Sequence, residues 1–155
     1  MIAAWVGMTI FFYKVCEPYG CFSNFSPHEI QMGGEIWPTS EHYYQAQKFV
    51  GTQDRHLCQQ IQQASSPELA TVLGRNPIHT VRKDWNALKT AIMYEVVLTK
   101  FKSHADLKNL LLSTGEELII ENSPTDGYWG CGPDGQGQNQ LGKVLMQIRQ
   151  ELRRT

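Results

Sequence analysis

Helix signals dominate this chain, and only short segments with strand character interrupt them. Pro38, Thr39 and Ser40 mark the start of a helix that runs to about Val50, where Gly51 ends it. The same signals predict further helices at 54–64, 67–74, 84–101, 104–113 and 141–152. Because the helices follow one another without alternating with strands, the pattern excludes a doubly wound parallel sheet.

Strand-forming residues are confined to three short places. TIFFYKV at 9–15 and ELIIE at 117–121 are rich in β-formers, and 29–37 is typical of a hairpin around Gly33 and Gly34. The chain has 155 residues, no repeat and no linker, which fits one domain at roughly 100–200 residues per domain. We therefore predict an α+β fold, with several helices around a few short strands in a single compact domain over 1–155.

Composition and charge exclude several classes of protein. With 14 Lys+Arg against 15 Asp+Glu the net charge is −1, so the chain is not a generally basic nucleic-acid coat protein. No run approaches the ~18 apolar residues of a membrane span, and no membrane partner is expected. The four cysteines lack C-x-x-C pairs and zinc spacing. We predict free thiols, a cytoplasmic location, and neither a metal nor a cofactor.

The segment PTSEHYYQAQKF is the most informative stretch for chemistry. At about 100° per residue, Glu41, Tyr44, Gln45 and Lys48 fall on one face of the predicted helix. Such a face can simply be solvated, and a carboxylate in the first turn offsets the helix dipole. In the functional alternative, Glu41 acts as a base or stabilises a cation. Apolar neighbours then bury Lys48 in part and lower its pKa towards nucleophilic use.

Basic and aromatic residues alternate between 74 and 89. The segment holds Trp85 among four basic side chains, Arg75, Arg82, Lys83 and Lys89. This combination suits a phosphate and a stackable heterocycle, although a solvated loop with Trp85 as a core anchor has the same composition. Asp84 is placed to cap the helix that follows.

Residues 123–140 form a long glycine-rich loop that includes Tyr128 and Trp129. Loops of this length are usually functional or disordered, and the aromatic pair disfavours disorder. Glycines let a backbone approach a ligand and expose amides to phosphate, but an irregular packed loop stays open as the alternative. No strand directly precedes and no helix at once follows the G-x-G-x-x-G pattern here, so we exclude a dinucleotide fingerprint at Gly130, Gly132 and Gly135.

A second loop, GCFSNFS at 20–26, also carries aromatic residues. Phe22 and Phe25 are expected to anchor it, which leaves the amide of Asn24 to form hydrogen bonds. Asparagine is also a common turn-former, so Asn24 is open to both a structural and a binding interpretation.

Four blocks in the same order carry a resemblance over about Phe11 to Leu152: FFY…GCFSNFSPHEI, IWPTSEHYYQAQKF, GR…VRKDW and NSPTDGYWGCGPDGQGQNQLGKVLMQIR. Together they resemble the YbiA-like N-glycosidase family, also called the NADAR domain. The resemblance implies hydrolysis of N-ribosyl bonds to a heterocycle. Its two associated substrate classes are ribosylamino-pyrimidine intermediates of riboflavin synthesis and ADP-ribose on the amino group of guanine in nucleic acid.

The resemblance also implies site residues. Catalytic positions are expected at Glu41, Lys48 and Asp126. Trp85 is implied as an active-site position in the same way. The helix face, the basic segment and the two loops further predict substrate-binding positions at Asn24, Phe25, Tyr44, Gln45, Arg75, Trp85, Trp129 and Gly130. Relatives often carry lysines in the glycine-rich segment where this chain has Gln136 and Gln138. This difference argues against strong binding of a polyanion at that segment.

Both substrate classes are glycosylamines, with ribose C1 on an exocyclic amine. Such sugars can open to an imine, so a lysine can displace the base amine and form a Schiff base. Alternatively, a carboxylate assists direct loss of the base through an oxocarbenium-like state. A module that binds ADP-ribose or a nucleotide without turnover is the competing function.

Overall fold

A computed structural model describes residues 7–155 and confirms the α+β class. In chain order the elements are β1 (Ile10–Phe12), a 3-10 turn (Gly20–Phe22), β2 (Ile30–Met32), β3 (Glu35–Trp37), α1 (Ser40–Gln47), α2 (Leu57–Gln62), α3 (Pro67–Arg75), α4 (Trp85–Ser103), α5 (Ala105–Ser113), β4 (Ile119–Glu121) and α6 (Gln140–Arg153).

The chain divides into two compact units. The first unit combines Met1–Ser23 with Ala105–Thr155, and the second unit is Asn24–His104. The assignment of 1–155 to a single domain stays a prediction, and residues 1–6 of that range lie outside the described residues.

In the first unit, β1 and β4 pair in parallel with Ile10 opposite Ile119, and α6 packs on β4 and α5. Both predicted strands are present but shorter than expected. The buried guanidinium of Arg149 on α6 donates from Nη1 to the hydroxyl of Thr114 at 2.9 Å and to the carbonyl of Glu117 at 2.8 Å. These bonds satisfy a buried cation and fix α6 to the turn between α5 and β4.

The second unit begins with the predicted hairpin, in which β2 and β3 pair antiparallel with Ile30 opposite Trp37. Gly33 and Gly34 have φ values of 62° and 79°, and this left-handed turn favours glycine at both positions. The hairpin prediction is therefore confirmed.

Helix α1 begins where its sequence signals predict and ends earlier. The hydroxyl of Thr39 accepts a hydrogen bond from the His42 N–H at 3.2 Å, a standard N-terminal cap. After Gln47 the backbone tightens into turns that continue to Gly51, whose φ is 75°. Helix α1 packs against α2, α3 and α4, which makes it the central helix of the second unit.

The helix starts at Pro67 and Trp85 have different outcomes. The Ser66 hydroxyl accepts from the Leu69 N–H at 3.1 Å, so the α3 start is confirmed. The predicted cap by Asp84 is wrong, because its side chain makes no capping bond to α4. Its carboxylate instead binds the Arg82 guanidinium through Nε at 2.6 Å and Nη2 at 3.1 Å, a bidentate charge-assisted pair.

Among the described helices, none combines the length and the apolar character needed to cross a membrane. The cytoplasmic location stays a prediction.

Candidate active site

Glu41 is buried in the first turn of α1 with 6% of its surface exposed. Its Oε1 accepts two hydrogen bonds, from Gln45 Nε2 at 2.6 Å and from the hydroxyl of Thr71 on α3 at 2.8 Å. The carboxylate is therefore held by side chains of two helices. The alternative of a merely solvated face is wrong for this residue.

Gln45 lies one turn after Glu41 and is 1% exposed. Its amide nitrogen is committed to the Glu41 carboxylate, while its amide oxygen faces the α-carbon of Gly74. A Cβ on Gly74 would stand only 2.0 Å from that oxygen. The absence of a side chain at Gly74 thus lets α3 approach α1 closely.

Lys48 follows the last residue of α1 and completes the same face. Its Nζ donates to the carbonyl of Gly74 at 3.3 Å. Burial lowers the pKa of Lys48 to about 8; the charge of Glu41 opposes this shift, and the positive charges of Arg75 and Lys89 add to it. The predicted direction of the pKa shift is confirmed. An amine with this pKa is in part neutral near physiological pH.

Two aromatic rings enclose the Lys48 amine. Its Nζ lies 5.8 Å from the ring centroid of Tyr44 and 5.9 Å from that of Trp85. The two rings pack against each other with centroids 5.1 Å apart. Trp85 is only 9% exposed at the start of α4, so its ring is largely a packing group.

Asn24 supports the start of α1. Its Oδ1 accepts from the Ser40 hydroxyl at 2.9 Å, its carbonyl accepts from the Glu41 N–H at 3.2 Å, and its Nδ2 lies 3.1 Å from the sulfur of Met93. Since Asn24 is 7% exposed, these contacts place it behind the cluster as a structural support. Phe25 beside it is half-buried.

The basic segment divides into two places. The positive charges of Arg75 and Lys89 lower the pKa of Lys48. Arg82 and Lys83 instead line an open groove of about 490 Å³ between residues 50–53 and 80–84. The groove is not lined by Glu41, Tyr44, Gln45 or Lys48, so the chemistry of the cluster is separate from it.

Asp126, Trp129 and Gly130 lie in the first unit, on the glycine-rich loop. The Asp126 Oδ1 accepts from the Tyr128 N–H at 2.9 Å and the Trp129 N–H at 2.8 Å, while the Asp126 N–H donates to the Ser123 hydroxyl at 2.9 Å. Trp129 is half-buried, and its ring stands edge-on to Tyr128 at 4.8 Å. The carboxylate therefore organises the turn that carries both rings.

The rest of this loop is a packed irregular structure. Its amides donate to carbonyls of the same unit, as from Gly137 to Cys131 at 2.7 Å and from Gln138 to Gly127 at 2.8 Å. A Cβ on Gly130 would lie 2.8 Å from the carbonyl oxygen of Glu121, so this glycine is needed for packing. Amides bonded in this way are not available to a phosphate.

Sequence analysis missed three residues that build the cluster. Thr71 and Gly74 lie on α3, and the small residues at 70, 71 and 74 are a signal of a close helix contact. His42 is 1% exposed and was assigned no role; its Nδ1 lies 2.7 Å from the Thr39 hydroxyl and its Nε2 lies 3.0 Å from the carbonyl of Ala64. These two contacts of the His42 ring fix α1 to Thr39 and Ala64.

The cluster thus brings a carboxylate, a partly neutral amine and two aromatic rings together within one unit. The carboxylate is an acceptor with a fixed orientation, and the amine is a potential nucleophile. These are the groups that nucleophilic catalysis with proton transfer requires.

Known proteins resemble this chain over most of its length. The family model of the NADAR domain matches residues 11–153. N-glycosidase Npun_R5314 of Nostoc punctiforme is 56% identical over 146 residues, which cover 94% of this chain and 94% of that protein. N-glycosidase YbiA of Escherichia coli K12 is 42% identical over 141 residues, covering 91% of this chain and 86% of that protein.

A third relative and a solved structure extend the comparison. Riboflavin biosynthesis protein PYRR, chloroplastic, of Zea mays is 46% identical over 155 residues, covering 92% of this chain but 25% of that protein. The NMR structure of E. coli YbiA superposes with a TM-score of 0.86 at 41% identity, covering 95% of this chain and 86% of that one. The chain therefore belongs to the NADAR domain family, as an enzyme of the N-glycosidase class.

Proposed function

We propose that this enzyme hydrolyses the bond between ribose C1 and the exocyclic amine of a heterocycle, through a Schiff base on Lys48. The substrate is a phosphorylated ribosylamino-pyrimidine or an ADP-ribose attached to the amino group of guanine. Relatives named N-glycosidases and riboflavin biosynthesis proteins support this class of substrate.

The chemistry of a glycosylamine favours this route. Its ring oxygen can leave C1 while the exocyclic nitrogen forms an imine, which gives an open-chain electrophile. An ordinary nucleoside, with a fully substituted ring nitrogen on C1, does not open in this way. Guanosine is therefore a control substrate that this route leaves intact.

The placement of the Lys48 amine between the rings of Tyr44 and Trp85, on the helix face of Glu41, is the observation that carries the proposal, and the lowered pKa of Lys48 supports it. With a pKa of about 8, roughly one amine in ten is neutral at pH 7, against about one in 2,500 for a free lysine with a pKa of ~10.4. The aromatic rings of Tyr44 and Trp85 lie beside this amine, with centroids 5.8 Å and 5.9 Å from Nζ. A module that only binds its ligand has no need of such an amine.

The proposed reaction proceeds from the open-chain imine through an aminal and an iminium on Lys48 to the free sugar. The neutral Nζ of Lys48 adds to C1 of the protonated imine, and the resulting aminal passes a proton from Nζ to the base nitrogen. The C1–N bond to the base breaks, the free base amine leaves, and C1 forms an iminium with Nζ. Water then adds to C1, the C1–Nζ bond breaks, and the released aldehyde closes to ribose.

A carboxylate must carry these protons, and we assign this role to Glu41 in the same cluster as Lys48. Asp126 is the second carboxylate that we propose for the reaction. Trp85 and Tyr44 offer ring surface to the heterocycle, and Arg75 offers charge to a phosphate; we propose Phe25 and Trp129 as further substrate contacts.

Borohydride trapping tests the covalent step. The protein is incubated with each glycosylamine in the presence of borohydride, and intact-protein and peptide mass spectrometry follow. We expect released base, and a reduced sugar adduct on the peptide that contains Lys48. Lys48→Ala is expected to lose both the adduct and turnover, whereas Lys83→Ala serves as the matched control.

Three results would contradict the proposal in different ways. A Lys48→Ala variant with most of its activity would favour the direct route, in which Glu41 stabilises an oxocarbenium-like state and activates water. Binding without release of the base would favour the module that binds ADP-ribose or a nucleotide. Equal cleavage of guanosine would exclude ring opening as the selective step.

A further inference from the structure

We infer that Thr71 and Gln45 are positioning residues that hold one oxygen of Glu41, so that its other oxygen, Oε2, exchanges protons during the reaction. The inference rests on the proposed function. It differs from the sequence-based prediction, in which Gln45 contacts the substrate and Thr71 has no role.

Thr71 has one hydroxyl hydrogen and two acceptors within reach. Its Oγ1 lies 2.8 Å from Glu41 Oε1 and 2.9 Å from the carbonyl oxygen of Pro67. A threonine in a helix ordinarily bonds back to the carbonyl four residues earlier, as Thr99 does to Glu95 at 2.9 Å. An ionised carboxylate is the stronger acceptor, so the hydrogen of Thr71 points to Glu41.

The amide of Gln45 has one orientation. Its Nε2 donates to Glu41 Oε1 at 2.6 Å, and its oxygen is packed over the α-carbon of Gly74. Turning the amide by half a revolution would bring its oxygen against the carboxylate, which costs a charge-assisted bond and adds repulsion. Since Gln45 is 1% exposed, no substrate atom can replace either contact without moving α3.

Both donors reach the same oxygen of Glu41, and no protein hydrogen bond from residues 7–155 ends on Oε2. Two bonds from different helices hold Oε1 in its position. The geometry therefore leaves Oε2 as the oxygen that is free to take up and return a proton.

Removal of the Thr71 hydroxyl tests the inference. Thr71→Val keeps the shape of the side chain and deletes the donor. A hydrogen bond to a charged group contributes about 1.5–3 kcal/mol, so we expect kcat to fall about 10- to 100-fold. KM should stay within about twofold, because Thr71 does not touch the substrate.

Two variants control for a merely structural effect. Thr71→Ser restores the hydroxyl and should recover kcat to within about threefold of the wild type. Thr99→Val removes a helical threonine that bonds only to its own backbone, and it should leave kcat unchanged. An equal loss of kcat in Thr71→Ser and Thr71→Val would overturn the inference, and so would wild-type kcat in Thr71→Val.

A second measurement does not depend on turnover. The side-chain amide of Gln45 gives an NMR signal that Gln45→Ala assigns by its loss. We expect this signal to move in Thr71→Val and to stay in Thr99→Val, because Glu41 reorients only in the former. If the wild type releases no base, the proposed function fails, and the NMR signal of Gln45 becomes the test of the inference. A shift of that signal in Thr71→Val then supports the statement that Thr71 and Gln45 together hold Glu41, and an unmoved signal overturns it.

Discussion

The two carboxylates proposed for catalysis are held in opposite ways. Glu41, in the second unit, accepts from side chains on two helices, Gln45 at 2.6 Å and Thr71 at 2.8 Å. Asp126, in the first unit, accepts from two backbone amides of its own loop, those of Tyr128 at 2.9 Å and Trp129 at 2.8 Å.

The difference follows from the local backbone. The amides at the start of α1 already have partners, since the Glu41 N–H donates to the Asn24 carbonyl and the His42 N–H donates to the Thr39 hydroxyl. The buried Glu41 carboxylate therefore takes side-chain donors, and these can be removed one at a time. A loop has no helical ladder of hydrogen bonds, and Asp126 stands in for a missing carbonyl acceptor. Loss of a donor near Glu41 should therefore affect chemistry before stability, whereas loss of the Asp126 acceptor in the loop should affect stability together with chemistry.

Glu41→Gln is expected to give the largest effect. The amide keeps an oxygen that can accept from Gln45 and Thr71, so the melting temperature should change by less than about 3 °C. Loss of the proton carrier should lower kcat about 10²- to 10⁴-fold. Steady-state kinetics and calorimetry on the same sample measure both.

Glu68→Gln is the matched control, because Glu68 is an exposed carboxylate in the first turn of α3. If Glu41 did no more than offset a helix dipole, the two variants would behave alike. Equal and near-normal activity in both would remove Glu41 from the mechanism.

Asp126 offers a comparison of two substitutions. Asp126→Asn keeps an oxygen for the two loop amides, so the fold should stay intact while kcat falls about 100-fold, as expected for lost proton transfer. Asp126→Ala also deletes the acceptor, and it should cost a further 1–3 kcal/mol, about the cost of an unsatisfied backbone donor. Near-normal turnover in Asp126→Asn would show that Asp126 only organises its turn.

Glycines in the loop test whether its shape is fixed by packing. A Cβ on Gly137 would lie 2.5 Å from the carbonyl oxygen of Gly130 and 2.6 Å from the carbonyl carbon of Cys131. Gly137→Ala should therefore cost about 2–3 kcal/mol and speed limited proteolysis of the loop. Gly127→Ala is the control, because nothing lies within 4 Å of its Cβ position and its φ is not left-handed. Similar melting temperatures for the two variants would contradict a packed loop.

Local geometry explains which features the sequence could predict. The face that joins Glu41, Gln45 and Lys48 depends only on helical periodicity within α1, and the hairpin depends only on two adjacent glycines. Thr71 belongs to a different helix, and its contact with Glu41 depends on how closely α3 approaches α1. Periodicity within one segment does not show how closely two different helices approach each other.

Competition between contacts explains two further outcomes. Asp84 is at the position of a cap, but its carboxylate binds the guanidinium of Arg82 two residues earlier. The glycine-rich loop has the sequence of a phosphate cradle, but many of its amides bond to carbonyls of the same unit. In both places the group that the pattern assigns to a cap or a phosphate, the Asp84 carboxylate or a loop amide, is already bound by another partner in the protein.

The smallest effect that we predict is a gain of stability in Lys48→Met. Burial disfavours the charged amine, so the pKa of Lys48 falls to about 8 in the folded protein, from the ordinary ~10.4 of the unfolded chain. The folded state thus binds fewer protons than the unfolded state between about pH 8 and pH 10.4, and wild-type stability rises with pH across that window. Below pH 8 both states are protonated and the wild type carries the full cost of burying the charge.

Methionine at position 48 removes that cost. Because Lys48 is only half-buried, screening by solvent reduces the gain in stability to about 1 kcal/mol, or about 3 °C in melting temperature. Urea unfolding at pH 7 and pH 10.5 measures the gain, which should shrink at the higher pH, and Lys83→Met should show neither the gain nor its pH dependence. An equal gain at both pH values would mean that methionine only packs better. Burial of the charged Lys48 amine would then not lower the stability of the folded protein.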